Sequence, residues 1–295
     1  MDTLVVGANG LLGSNVIAEA LDRGFPVTAA YHSTPPAIDV EAYQLEIAEQ
    51  QAVDRVLEAT SPDVVVNCAA ITDVDGCTGD ERRAEEVNGL APGRLARSVD
   101  KRDIEFVHVS TDYVFDGRKE GRYTETDEVN PIQAYGRSKL LGERQVKEAH
   151  SNPIIPRLSF VYGMRGDTDR LEGFPSWLRD RLNAGEEVPL FTDQRVTPTR
   201  AGHAAEVILD LVRKGTNGLY HVASQSCVSP FEFGDALAKY SGVDRNLLTE
   251  GSLTDVDRAA ERPSNTCLCS ERLETTLGRP QPTLEEDITA IREAL

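Results

Sequence analysis

The chain has 295 residues, 40% hydrophobic and 27% charged, enough to bury a sizeable core in one large domain or two ordinary ones. Its formal net charge of −18, from 49 acidic against 31 basic residues, argues against nucleic acid as a partner. No apolar run approaches the roughly 18–20 residues that a spanning helix needs, and MDTLVVGANG lacks the basic start of a signal peptide. The expectation is a cytoplasmic protein with no membrane partner.

Of the 31 basic residues only six are lysine and 25 are arginine, and the acidic excess runs along the whole chain. A uniformly acidic, lysine-poor surface fits a halophilic setting, where high salt screens repulsion over a few ångströms. The five cysteines, Cys68, Cys77, Cys227, Cys267 and Cys269, form no C-x-x-C pair, and their odd number argues against a disulfide framework. Cys267 and Cys269 read as small buried side chains on one face of a strand. The five histidines have no ligand spacing, so no metal is expected.

In chain order, TLVVG (3–7) reads as a strand, followed by a helix over 14–24 that ends at Gly24. PVTAAY (26–31) gives a second strand and YQLEI (43–47) a third, before a helix over 48–59. DVVVNCAA (63–70), a helix near 84–99 and IEFVHVST (104–111) continue the alternation. Such alternation predicts βαβ units, hence an α/β fold with a doubly wound, Rossmann-like parallel sheet. The largely apolar runs VVVNC and IEFVHVS suit strands covered on both faces. Later, IIPRLSFVYG (154–163) and GLYHVA (218–223) read as further sheet strands. Helical stretches at 174–185, 203–215 and 230–242 surround them. The division expected is a dinucleotide-binding domain over 1–160, completed by the strands near 154–163 and 218–223. A smaller, interleaved substrate lobe is expected over 164–295, with Trp177 in its core.

The first strand ends in GANGLLG (7–13), a G-x-x-G-x-x-G turn that opens a helix. Gly7 permits the tight turn, Gly10 lets a pyrophosphate approach the backbone, and Gly13 allows close helix–sheet packing. The candidates here are Gly7, Asn9, Gly10, Leu11, Leu12 and Gly13, with the free N–H groups of the helix start facing the phosphates. A purely structural strand–helix turn would not require three glycines at this spacing. The second strand ends in AAYHSTPP (29–36), without the acid that NAD binders carry for the ribose 2′-hydroxyl. His32 and Ser33 could meet a 2′-phosphate, so NADP(H) is expected over NAD(H).

Residues 130–143 read NPIQAYGRSKLLGE. On a helix, Tyr135 and Lys139 project from one face. Taken alone they could be a surface tyrosine beside a solvated lysine. Thr111, at the end of the strand leading into STDYVFDG (110–117), stands 24 residues before Tyr135 and 28 before Lys139. A ketone that receives a hydride needs a hydrogen bond and a proton at its oxygen near neutral pH. A phenol of pKa about 10 beside an ammonium can be tuned to that work, and a strand-end hydroxyl can hold the oxygen. The catalytic candidates are therefore Thr111, Tyr135 and Lys139, with Lys139 also reaching the nicotinamide ribose.

A strand-end Thr followed by Y-x-x-x-K on the next long helix resembles the extended short-chain dehydrogenase/reductase superfamily. Within it, STDYVFDG, NP-x-x-x-YG-x-SK-x-x-GE, VNCAAITDVD (66–75), VYG (161–163), DQ-x-x-x-PT (193–199) and RP (262–263) resemble the dTDP-4-dehydrorhamnose reductase family. The match runs over nearly the whole chain. It implies NAD(P)H-dependent reduction of the 4-keto group of a nucleotide-activated deoxysugar, dTDP-4-dehydro-L-rhamnose to dTDP-L-rhamnose. It also implies Glu46 and Ile47 flanking the adenine, Ala69 and Ala70 along the cofactor, and Thr72 and Val74 at the sugar; for each, ordinary loop packing is the competing account. Asp112 would contact the sugar or cap the turn. Where the family has a tryptophan against the hexose this chain has Phe160, with less area and no N–H donor. The resemblance implies a nucleotide-sugar partner and allows a homodimer. Two alternatives share these residues: a nucleotide-sugar epimerase or dehydratase with tightly bound NAD, and a non-catalytic NADP-binding subunit resembling the methionine adenosyltransferase β subunit.

Overall fold

The computed structural model describes residues 1–168, 170–241 and 243–295. The larger layer runs β1 (Thr3–Val6), α1 (Leu11–Asp22), β2 (Val27–Tyr31), β3 (Ala42–Gln44), α2 (Gln50–Thr60) and β4 (Val64–Asn67). It continues through α3 (Val74–Gly79), α4 (Glu81–Ala84), α5 (Ala91–Asp100), β5 (Glu105–His108), β6 (Ser110–Thr111), α6 (Ala134–Ala149) and β7 (Ile154–Leu158). The smaller layer begins with β8 (Val161–Met164), β9 (Leu171–Glu172), α7 (Phe174–Asn183), β10 (Val188–Phe191) and β11 (Thr199–Arg200). Then come α8 (Ala201–Arg213), β12 (Gly218–Val222), α9 (Pro230–Ser241), β13 (Leu248–Gly251), α10 (Glu271–Leu277) and α11 (Leu284–Ala290).

The main sheet is parallel, in the order β12–β7–β5–β4–β1–β2–β3, with β6 added beside β7. Strand alternation divides its side chains between two cores. Val5, Ala29, Val64 and Val107 bury against α1 and α8. Leu4, Val6, Val65 and Phe106 bury against α2 and α5 on the opposite face. Both faces are covered, which is why these strands are continuously apolar. The chain leaves β1 towards β2 and β3, then returns to build outward from β4. The β1/β4 boundary is therefore the topological switch point, where α/β folds open a crevice at the strand ends.

A separate core holds the smaller layer, with Tyr162, Leu178, Leu190, Phe233, Leu237 and Ile288 at its centre. Its sheets are β10–β13 and β11–β8–β9. Not all of 164–295 lies there: α8 packs on α1, β12 extends the main sheet, and α10 packs on β12.

Four expectations need correction. The strand expected over 154–163 is two strands, because Phe160 adopts φ +46° and turns the chain out of the main sheet. The helix expected near 84–99 contains a π-helical turn at Glu85–Leu90. Pro92 explains it, since it has no N–H to offer the Asn88 carbonyl one α-turn back. Trp177 is 42% exposed on the outside of α7 and lies under the Arg181 guanidinium, because Phe160, Phe174 and Phe233 already fill the core. Finally, Cys227 and Cys267 form a disulfide across 40 residues. They meet because the Arg195–Val196 stretch pairs with Val228 on one side and Asn265 on the other. Cys68, Cys77 and Cys269 are free.

Candidate active site

A cleft of about 760 Å³ opens at the carboxyl ends of the main sheet, along the switch point. Every site residue expected above lines it: the 7–13 turn, His32, Ser33, Glu46, Ile47, Ala69, Ala70, Thr72, Val74, Thr111, Asp112, Tyr135, Lys139 and Phe160.

The glycine turn is made by close approach. Gly7 has φ +82°, and a Cβ there would stand 2.6 Å from the Ala69 nitrogen at the end of the neighbouring strand. A Cβ at Gly13 would strike the Gly7 carbonyl. Asn67 Oδ1 accepts the Ala69 N–H at 3.1 Å and so fixes that opposing turn. Gly10 caps α1 without any side-chain hydrogen bond, which leaves N–H groups of the 12-residue helix directed at the cleft. A pyrophosphate fits such a cradle.

At the end of β2, His32 Nε2 lies 3.3 Å from Glu46 Oε2, and Arg83 from α4 reaches the same oxygen at 3.0 Å. Burial works against the Glu46 charge, but the Ala48 N–H, Arg83 and His32 together hold its carboxyl below the ordinary value. This end of the cleft thus carries one acid and two basic groups. Arg83 carries no local sequence signal, because it lies 51 residues from His32 and arrives from α4.

The chemical groups stand where β6 meets α6. Thr111 Oγ1 donates to Asp112 Oδ1 at 3.0 Å and accepts the Tyr113 N–H at 3.2 Å. Burial pushes the Tyr135 phenol well above its ordinary pKa, against the pull of the Thr111 hydroxyl, and Asp112, Cys77 and Tyr113 push it further. Tyr135 is consequently a protonated phenol at neutral pH, the form from which a proton can be given. Lys139 Nζ donates to the Val109 carbonyl at 2.6 Å. Burial lowers its pKa to about 8, with Glu143 and Cys68 acting in the other direction. Desolvation is the largest influence on both groups and moves each towards neutrality. Cys68, also in the cleft, is pushed up to about 12 by burial and is no thiolate nucleophile.

One helical turn beyond Lys139, Glu143 is 1% exposed and Arg157 on β7 is 3% exposed. Both carboxylate oxygens accept from Arg157 at 2.7 Å, and Ser110 Oγ donates to one of them at 2.6 Å. Burial opposes the Glu143 charge, and Arg157 overcomes it, holding the carboxyl below its usual range. This pair ties the Tyr135–Lys139 helix to β7, and the Ser110 bond ties it to β6, the strand that ends at Thr111. Asn88, carried by the π-turn, adds a second tie: it exchanges hydrogen bonds with the Ile71 backbone and donates to Ser138 Oγ. Arg157 as the partner of Glu143 has no local sequence signal, because it lies 14 residues on, in β7.

Thr72 and Val74, at the start of α3, line the same cleft, as do Tyr113 and Phe160. Asp112 is buried, and its Oδ2 has no hydrogen-bond partner among the described residues. Burial raises its carboxyl to about 6, although the Thr266, Ser159 and Thr111 hydroxyls oppose the shift. The Phe160 ring lies 5.6 Å from Phe174, so the residue lining the cleft is anchored in the smaller core. A bulky side chain at positive φ is uncommon and costs of order 1–3 kcal/mol, so surrounding packing must hold it. Among the described residues no group of three or more His, Cys, Asp or Glu converges on a metal-sized site.

This architecture is shared with known proteins. The chain is 48% identical over 294 residues to a probable low-salt glycan biosynthesis reductase, Agl14, of Haloferax volcanii, spanning 100% of this chain and 98% of that one. It is 35% identical over 275 residues to a dTDP-4-dehydrorhamnose reductase of Mycobacterium tuberculosis, spanning 91% of this chain and 85% of the relative. The solved dTDP-4-dehydrorhamnose reductase of Bacillus anthracis, in complex with NADP, superposes with a TM-score of 0.89 at 26% identity, over 100% and 99% of the two chains. The family model described as RmlD substrate binding domain matches residues 1–295, and the chain belongs to that family of dTDP-4-dehydrorhamnose reductase-type, NAD(P)H-dependent oxidoreductases.

Proposed function

We propose that the chain reduces the 4-keto group of a nucleotide-activated deoxysugar with NADPH, and that dTDP-4-dehydro-L-rhamnose is its substrate. One observation carries this reading. Thr111, Tyr135 and Lys139, from a strand end and a separate helix, open onto the same cleft as the glycine turn. A bound nicotinamide supplies the hydride. Tyr135 gives its phenolic proton to the carbonyl oxygen that becomes the alcohol, and Thr111 donates to that oxygen once its hydroxyl turns from Asp112. Lys139, held by the Val109 carbonyl, binds the ribose and stabilises the phenolate left when Tyr135 gives up its proton.

NADPH over NADH is supported by the charges at the end of β2, where His32 and Arg83 can turn from Glu46 to a 2′-phosphate. The division of labour proposed is cofactor on the main sheet and sugar against Phe160 and the smaller layer. The acidic, lysine-poor surface supports work in high salt.

The test is loss of NADPH absorbance with a panel of 4-keto nucleotide sugars in molar KCl. Turnover of the dTDP-4-keto sugar, faster with NADPH than NADH, is expected. An enzyme that holds NAD through purification and consumes no added NADPH would establish the epimerase alternative instead.

A further inference from the structure

Arginine is the dominant cation of this strongly acidic chain, and its side chains are almost everywhere engaged. Among the described residues, each arginine that is not exposed, with one exception, gives hydrogen bonds to a carboxylate or a carbonyl. Arg122 is held by the carbonyls of Leu268 and Gln225, Arg157 by Glu143, and Arg262 by Asp75 at 2.7 Å. The remaining half-buried ones are held in the same way.

The exception is Arg258. It is half-buried, yet among the described residues no carboxylate lies within 4 Å of it and no oxygen accepts from it. Its guanidinium lies over the Phe191 ring, 4.9 Å from the centroid. That contact sets its direction without neutralising its charge. Burial and the neighbouring Arg262 both disfavour its protonated form. Arg262 gives its donors to Asp75 and the Ala260 carbonyl, whereas Arg258 keeps its donors free among the described residues, and two like charges so close are costly. An anionic ligand removes that cost.

The position indicates which anion. Arg258 and Arg262 are close enough for their charges to act on Tyr113 and on Asp75. Tyr113 lines the cleft, and Asp75 follows Val74, which also lines it. The segment is tied down there, with the Ala260 N–H donating to Asp75 Oδ1 at 2.9 Å. A nucleotide sugar whose hexose lies among Thr111, Tyr135 and Phe160 extends past Val74 and Tyr113 by its diphosphate and nucleoside. We propose that Arg258 is the substrate's diphosphate-binding residue, stacked in readiness on Phe191 beside Arg262. This rests on the nucleotide-sugar function proposed above. The fork of a guanidinium matches phosphate oxygens, and such charge-assisted bonds are the strong ones.

The test is calorimetric titration of the NADPH-loaded protein with dTDP, for wild type, Arg258→Gln and Arg258→Lys, in the salt where all three are folded. The proposal expects dTDP to bind wild type and to weaken about tenfold or more in Arg258→Gln, equivalent to about 1.4 kcal/mol. Partial recovery is expected in Arg258→Lys, with NADPH affinity constant throughout. Equal dTDP affinity in wild type and Arg258→Gln would overturn the assignment while leaving the nucleotide-sugar function intact. Failure of dTDP, UDP and GDP alike to bind wild type would overturn both. Arg258 gives no hydrogen bond within the described protein, so loss of folding in the glutamine variant is not expected, and coincident thermal unfolding checks this.

Discussion

The floor of the cleft and its mouth are built on opposite principles. At the floor, Glu143 accepts from Arg157 and Ser110 behind Lys139, so that α6 is tied to both β6 and β7 before any ligand arrives, although Arg157 Nη1 has no partner among the described residues. At the mouth, among the described residues, Asp112 keeps an oxygen without a hydrogen-bond partner and Arg258, beside Arg262, keeps a guanidinium that donates to no acceptor. The contrast separates two tasks. Groups that must act with fixed geometry are held by the protein, whereas groups that recognise the ligand are left for the ligand to complete.

The largest expected effect lies on the floor. Tyr135→Phe removes the proton donor and keeps the ring, so kcat should fall by about 10²–10⁴-fold while NADPH affinity holds. A wild-type rate would remove Tyr135 from the mechanism. Glu143→Gln strands the buried Arg157 charge, and chemical denaturation should show a loss of about 3–5 kcal/mol. A loss below about 1 kcal/mol would mean that the floor is not the rigid element described.

The mouth should respond in the reverse sense. Asp112 has its carboxyl raised to about 6 in the folded protein, against 3.8 for the free side chain. The folded state then binds more protons between those values, so this group's favourable contribution is complete below 3.8 and is lost as pH rises through 6. Asp112→Asn should accordingly be more stable than wild type at neutral pH, by up to about 3 kcal/mol, with the difference vanishing in acid. Denaturation curves at both pH values check it, and equal stability at neutral pH would show that the carboxylate carries no burial cost. The smallest effect concerns the whole surface: in molar KCl the melting temperature should rise by a few degrees, about 1 kcal/mol, as repulsion within a chain of net charge −18 is screened. No change would remove the salt-adapted account.

The same contrast explains what could be seen in the sequence. The glycine turn and the Tyr135–Lys139 pair are short-range patterns whose spacing follows from strand and helix geometry, and the βαβ alternation follows from apolar runs. Arg83, Arg157 and Arg258 take their meaning from partners that are distant in the chain, or from lacking one, and periodicity carries no such information. Trp177 misled because composition cannot tell which of several aromatics fills a core. Cys227 and Cys267 misled because an odd cysteine count says nothing about which two are brought together. Phe160 lines the cleft, but its positive φ, which ends β7, depends on the aromatic packing around it.

The separation of floor from mouth is tested most directly by one set of steady-state constants: kcat and KM for dTDP-4-dehydro-L-rhamnose in Tyr135→Phe and Arg258→Gln, measured side by side with NADPH. The account predicts a fall in kcat with little change in KM for the tyrosine variant, and a rise in KM with kcat within about threefold for the arginine variant. Both constants changing together, to a similar extent in both variants, would contradict it.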